Sequence, residues 1–87
     1  ITGTVSIVNP LGLHARPAAK LVETVIPFSS EVYINFDGNR VNAKSIMGLL
    51  TLGAAQGSRL TISCIGPDAD AAFAAVSELF AQGFGEN

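Results

Sequence analysis

Asn9-Pro10-Leu11-Gly12-Leu13-His14-Ala15-Arg16-Pro17-Ala18-Ala19-Lys20-Leu21 is the stretch in which the hydrophobic period of the chain changes. Upstream of it, Gly3, Val5 and Ile7 alternate with Thr4 and Ser6, as in a half-buried strand. Downstream, Ala18, Leu21, Val22 and Val25 recur at helical spacing, which predicts a helix over residues 15–25. Pro17 is tolerated there because an N–H in the first turn has no helical acceptor. Pro27 closes the helix by pushing the residue before it out of the helical region. Residues 9–13 form the intervening turn. The only histidine of the chain therefore falls where Ser, Thr, Asp or Asn ordinarily caps a helix.

Farther along, Val32, Ile34 and Phe36 alternate with Glu31, Tyr33 and Asn35 and predict a second strand. Asp37-Gly38-Asn39 reads as a tight hairpin turn, with residues 40–43 as the returning strand. Ser45 is a sound N-cap for a short helix to about residue 52, although Gly48 lowers its intrinsic helicity. Gly53 can end that helix in a left-handed conformation. Gln56-Gly57-Ser58 is a turn, and residues 60–65 form the last strand. Asp68 is placed to cap a final helix whose apolar stripe is Ala72, Phe73, Val76, Leu79 and Phe80. The order is β-α-β-β-α-β-α, an α+β chain with no internal linker, and residues 1–87 read as a single domain. A four-stranded sheet with helices across one face buries these stripes in two layers. Periodicity does not fix the strand order; a split β-α-β arrangement is the first choice.

Composition narrows the function classes. At 87 residues and 9.0 kDa, with 48% hydrophobic and 14% charged residues, the chain can bury one modest core. A formal net charge of -2 gives no general attraction to nucleic acid or anionic lipid. No apolar run is long enough to span a bilayer, and no basic leader precedes an apolar segment, so a cytoplasmic protein without membrane insertion is expected. Ile1 is not a natural start, which leaves open a processed piece or an internal domain of a longer polypeptide. The lone Cys64 lies in an apolar strand and reads as a buried, inert thiol. One histidine and one core cysteine do not make a metal-ligand set, and no cofactor is expected.

The plain reading of His14 is a capping or surface histidine. Its neighbourhood favours anion chemistry instead. The helix start leaves the Ala15 and Arg16 N–H groups near the ring, and the Arg16 guanidinium adds a full positive charge. Neutral imidazole is nucleophilic near neutral pH and leaves readily again, which suits it to transient storage of a phosphoryl group. No acid stands at an obvious general-base spacing, so the group should persist until a partner takes it. Gly12 makes the turn and leaves the approach to the ring uncrowded. Pro10 stiffens the loop, Asn9 hydrogen-bonds its own turn and orients it, and Lys20 faces solvent.

A second feature is the segment Lys44-Ser45-Ile46-Met47-Gly48-Leu49-Leu50-Thr51-Leu52-Gly53. Leu49 and Leu52 have core spacing. Ile46, Met47 and Leu50 exceed what so short a helix can bury and suggest a protein-docking surface. Ser45 works simply as a cap, with Lys44 keeping the surface soluble; it is also a candidate phosphoserine.

Gly12-Leu13-His14-Ala15-Arg16-Pro17-Ala18 closely resembles the phosphohistidine signature of the HPr family, the histidine-containing phosphocarriers of the bacterial phosphoenolpyruvate:sugar phosphotransferase system. Residues 44–53 resemble the regulatory serine region of that family, and the likeness covers essentially the whole chain. The resemblance implies an open-faced β-sandwich: a four-stranded antiparallel sheet with three helices on one face. It implies that His14 takes a phosphoryl group on Nδ1 from phosphorylated Enzyme I and passes it to Enzyme IIA, with Arg16 stabilising it and the Ala15 N–H donating to it. Ile46, Met47 and Leu50 would dock both partners, and Ser45 would be the target of an HPr kinase/phosphorylase. The chain would be a monomeric phosphoryl carrier rather than an independent metabolic enzyme. The loop Asn9-Pro10-Leu11 is similar to paralogues of nitrogen-related regulation, which makes a nitrogen-related carrier the alternative branch. A mainly regulatory interaction protein acting through Ser45, and a structural module with a fortuitous His cap, are the other readings.

Overall fold

A computed structural model describes residues 1–86; Asn87, the last residue of the predicted 1–87 domain, lies outside the described residues. The elements are β1 (Thr2–Ser6), α1 (Ala15–Val25), β2 (Glu31–Phe36), β3 (Asn39–Asn42), α2 (Ile46–Thr51), β4 (Arg59–Ile65) and α3 (Ala69–Ala81), followed by a 3-10 turn at Gly83–Gly85. The four strands form one sheet in the order β1-β4-β2-β3, every pair antiparallel. This is the open-faced sandwich expected, and it supplies the strand order that periodicity left open. The register sets Val5 opposite Leu60, Ile34 opposite Ile62 and Val32 opposite Cys64. All six are buried, so one face of the sheet is continuous apolar surface and the helices cover it.

Each helix meets that core along its predicted stripe. On α1, Ala18, Leu21, Val22 and Val25 are buried, joined by Pro17. On α3, Ala72, Val76 and Phe80 are buried, with Phe73 and Leu79 packed partly against the core. Leu49 and Leu52 are core residues at α2. Cys64 is buried, and loss of hydration raises its thiol pKa, in keeping with an inert side chain. The β2–β3 hairpin turns through Asp37 and Gly38, both at positive φ (51° and 81°), the signature of a two-residue primed turn.

Four local expectations change. The returning strand ends at Asn42 rather than residue 43, because the Asn42 Oδ1 accepts the Lys44 N–H (2.8 Å) and starts the turn into α2. Ala43 still donates its N–H to the Val32 carbonyl at 2.8 Å. Asp68 occupies the N-cap position of α3, but its carboxylate makes no cap bond. It accepts instead from the Ser29 N–H (2.9 Å), the Ser30 N–H (2.8 Å) and the Ser30 hydroxyl, tying the loop before β2 to the start of α3. Lys44 is more than a solubilising charge, since its Nζ donates to the Phe28 carbonyl at 3.0 Å. The 3-10 turn after α3 was not expected. Its Phe84 is buried edge-on against Phe80, with ring centroids 4.9 Å apart.

Candidate functional site

The site is assembled where the loop before α1 meets the turn after α3. Asn9 is fully buried and shapes that loop from inside. Its Nδ2 donates to the Gly12 carbonyl (2.8 Å), while the Gly12 N–H donates to the Asn9 carbonyl (3.2 Å). Gly12 sits at φ +71°, the left-handed region that favours glycine. A Cβ there would lie 2.5 Å from the Ala54 carbonyl oxygen and 2.9 Å from the Ala55 Cα. The turn expected of Gly12 is thus present, and the close approach of the segment after α2 adds a second constraint that the sequence does not reveal. The Leu13 N–H completes that contact by donating to the same Ala54 carbonyl at 2.9 Å.

His14 follows as the N-cap of α1, in the extended conformation (φ -90°, ψ -170°). Its side chain makes no capping bond, which sets aside the plain capping role. The ring instead meets the Glu86 carboxylate: Nε2 lies 3.1 Å from Oε1 and 3.0 Å from Oε2. A carboxylate only accepts, so Nε2 carries the proton and the lone pair of the neutral ring resides on Nδ1. Among the described residues, no group engages Nδ1. The histidine side chain is 36% exposed and that of Glu86 only 13%, so the ring is reachable from solvent while its carboxylate partner is sheltered.

Ala15, Arg16 and Pro17 are the first three helical residues. Helix geometry leaves the Ala15 and Arg16 N–H groups without helical acceptors, and Pro17 has none to offer. Arg16 is exposed and lines an open cleft with Pro10, Leu11, Lys20, Gly85 and Glu86. The guanidinium thus shares the cleft with Glu86 and makes no ion pair among the described residues. Partial burial would raise the Glu86 carboxyl pKa. Hydrogen bonds from His14 and Asn9, with the charges of His14 and Arg16, outweigh that effect and lower it.

Two expectations are corrected here. An acid does stand beside His14, but it is Glu86, 72 residues away in sequence, which no spacing rule connects to the histidine. Lys20 does not simply face solvent: its Nζ donates to the Phe84 carbonyl and fastens the C-terminal turn to α1. Sequence reasoning also passed over Leu11, an apolar side chain exposed at the cleft. The acid could have been noticed only as a lone carboxylate after the Gly83-Phe84-Gly85 run.

Ser45 caps α2 as expected, its Oγ accepting the Gly48 N–H at 3.1 Å, and the residue is exposed. Ile46, Met47 and Leu50 are 40%, 73% and 38% exposed, so the surplus apolar residues do remain outside the core. They stand on the helix packed against α1, and α2 is followed by the Ala54 carbonyl that holds the histidine loop.

A family model described as the PTS HPr component phosphorylation site matches residues 1–82. The chain belongs to the HPr family. Among its relatives, the phosphocarrier protein HPr of Xylella fastidiosa (strain Temecula1) is 45% identical over 82 residues, covering 94% of this chain and 92% of the relative. The phosphocarrier protein NPr of Escherichia coli (strain K12) is 44% identical over 85 residues, covering 97% and 94%. The crystal structure of HPr-C-His from Thermoanaerobacter tengcongensis superposes with a TM-score of 0.95 at 44% identity, covering all of this chain and 98% of that one. The HPr family match thus spans the His14 loop, α1 and α2, and Glu86 lies beyond its last matched residue.

Proposed function

We propose that this chain is a phosphoryl carrier in which His14 accepts the group on Nδ1 from phosphorylated Enzyme I and delivers it to a sugar-system Enzyme IIA. The observation that carries this reading is the histidine itself. It stands at a helix N-terminus with Nε2 held by Glu86 and Nδ1 without a partner among the described residues, directly before Ala15 and Arg16, whose N–H groups have no helical acceptors. In the accepting step the Nδ1 lone pair forms the N–P bond while the bond to the donor histidine breaks, its electron pair staying on the donor nitrogen. Negative charge on the phosphoryl oxygens is met by the helix N-terminus and by the Arg16 guanidinium. The delivering step is the reverse, with the acceptor histidine attacking phosphorus and the pair returning to Nδ1.

Partner docking falls to Ile46, Met47 and Leu50, with Leu11 exposed in the histidine loop itself. Apolar and thioether side chains adapt to different partner surfaces, as a carrier with a donor and an acceptor requires. Ser45 is the regulatory position in this reading. A phosphoryl group there places a dianion next to Ile46 and Met47, and its charge and hydration oppose apolar docking. An HPr kinase/phosphorylase would be its source. Residues 1–87 act as one monomeric carrier domain, in the cytoplasm with the other components. No helix among the described residues is long and apolar enough to cross a membrane.

Incubation with phosphoenolpyruvate, Mg²⁺ and Enzyme I, followed by mass spectrometry and NMR, tests the assignment. An acid-labile group on Nδ1 of His14, absent from His14→Ala, is the expected result; an unlabelled wild type refutes it. The relatives called HPr and NPr are nearly equally similar, at 45% and 44% identity. The nitrogen-related branch is therefore the second reading, favoured by the loop Asn9-Pro10-Leu11. Transfer from the phosphorylated chain to a panel of sugar-system and nitrogen-system acceptors decides between them.

A further inference from the structure

We infer that Glu86 is a positioning residue for His14: it retains the proton on Nε2 throughout the transfer cycle, so that the imidazole attacks as a neutral ring and leaves as a neutral ring. This rests on the phosphocarrier reading of His14 and adds to it a role for the C-terminal turn. The geometry is specific to that role. One carboxylate oxygen, Oε1, accepts from both His14 Nε2 (3.1 Å) and Asn9 Nδ2 (2.9 Å), while Oε2 is also within 3.0 Å of Nε2. Asn9 is fully buried and uses its other Nδ2 hydrogen on the carbonyl of Gly12, two residues before the histidine. The carboxylate is thereby referenced to the loop that aims the ring. The turn carrying it is fixed at two further points, by the buried Phe84 ring and by the Lys20 Nζ on the Phe84 carbonyl. Three residues at the histidine end, Asn9, His14 and Lys20, hold one short segment at the far end of the chain.

The charge balance explains what this achieves. When Nδ1 takes the phosphoryl group and Nε2 keeps its proton, the ring becomes a phosphoimidazolium with one positive charge. Glu86 neutralises that charge at hydrogen-bond distance. Delivery then returns the electron pair of the N–P bond to Nδ1 and leaves a neutral imidazole, with no proton moved. Without the carboxylate, the phosphorylated ring gives up its Nε2 proton to solvent more easily. The leaving group would then be an imidazolate, which is a much poorer one. Among the described residues, the charged groups around Glu86 and the ring are Arg16 and Lys20, both on α1. Both oppose a positive ring, so Glu86 also offsets them.

The test uses the full chain, Glu86→Gln, which keeps the length and the acceptor oxygen but removes the charge, and Glu86→Ala, which removes both. Each is phosphorylated by Enzyme I and phosphoenolpyruvate, and the rate of transfer to an acceptor is followed against pH. For Glu86→Gln, the alkaline limb of the profile should move about one pH unit lower, about a tenfold slower transfer on that limb, with the plateau at lower pH unchanged. In ring ¹⁵N spectra of the unphosphorylated chain, the neutral ring should carry its proton on Nε2, with slowed exchange in wild type and Glu86→Gln and fast exchange in Glu86→Ala. Superimposable pH profiles for labelled wild type and Glu86→Gln overturn the role of Glu86 and leave the carrier reading standing. A wild type that takes no phosphoryl group overturns the carrier reading and this role with it.

Discussion

Replacing Gly12 by alanine should destabilise the chain by about 3 kcal/mol, through two costs that the structure separates. The first is conformational. Gly12 sits at φ +71°, where an L side chain costs about 1–2 kcal/mol. The second is steric. The new Cβ would be 2.5 Å from the Ala54 carbonyl oxygen and 2.9 Å from the Ala55 Cα, both backbone atoms that cannot swing aside. Forced repacking of that kind costs about 1–3 kcal/mol. The displaced carbonyl is also the acceptor for the Leu13 N–H, the bond that holds the loop immediately before His14. Gly53→Ala isolates the first cost, because Gly53 has a similar φ of +62° with nothing within 4 Å of its virtual Cβ. Urea unfolding followed by circular dichroism should place Gly12→Ala about 2 kcal/mol below Gly53→Ala, with similar slopes against denaturant. Equal losses in the two variants would refute the steric argument. Gly12→Ala should also slow phosphorylation of His14 under conditions where the chain is still folded, and Gly53→Ala should not.

Other expectations follow from single contacts. Phe84→Ala empties the buried edge-on site against Phe80 and should cost about 3–5 kcal/mol in thermal or urea unfolding; a loss under 1 kcal/mol would mean the turn is not part of the core. The Asp68 carboxyl is held below its ordinary pKa, first by the Ser30 hydroxyl and then by the Ser29 and Ser30 N–H groups, against the opposing effect of burial. A lowered folded-state value contributes stability above the unfolded carboxylate range and loses it as pH falls through the folded value. Wild type should therefore exceed Asp68→Asn in stability at neutral pH, and the gap should close on acidification below about pH 4; a gap constant with pH in urea titrations would contradict this. Ser45→Ala removes the bond to the Gly48 N–H and should cost about 1 kcal/mol by denaturation, with His14 still accepting phosphate at the wild-type rate. Met47→Lys should leave the unfolding midpoint in place and weaken binding to Enzyme I about tenfold or more in calorimetry, in line with the loss of a central apolar contact.

The amino-acid sequence by itself determined the elements, because their information is local. A helical stripe on Ala18, Leu21, Val22 and Val25, a period of two on Val32 and Ile34, and turn residues at Asp37-Gly38 each specify a segment within a few residues of itself. The phosphohistidine-like run 12–18 was legible for the same reason, as was the surplus of apolar residues on α2. The strand order β1-β4-β2-β3 was decided only in three dimensions, where β4 inserts between the first two strands and buries Leu60, Ile62 and Cys64 on both flanks. The same holds for the carboxylate of Asp68, which a local rule gave to its own helix and the fold gives to Ser29 and Ser30. Most of all it holds for Glu86. Its bonds to His14 and Asn9 join groups 72 and 77 residues apart, and hydrogen bonds of that reach leave no period in the sequence. They form because burial of Phe84 carries the end of the chain back over the start of α1, so the histidine was readable from its neighbours and its proton-holding partner only from the packing.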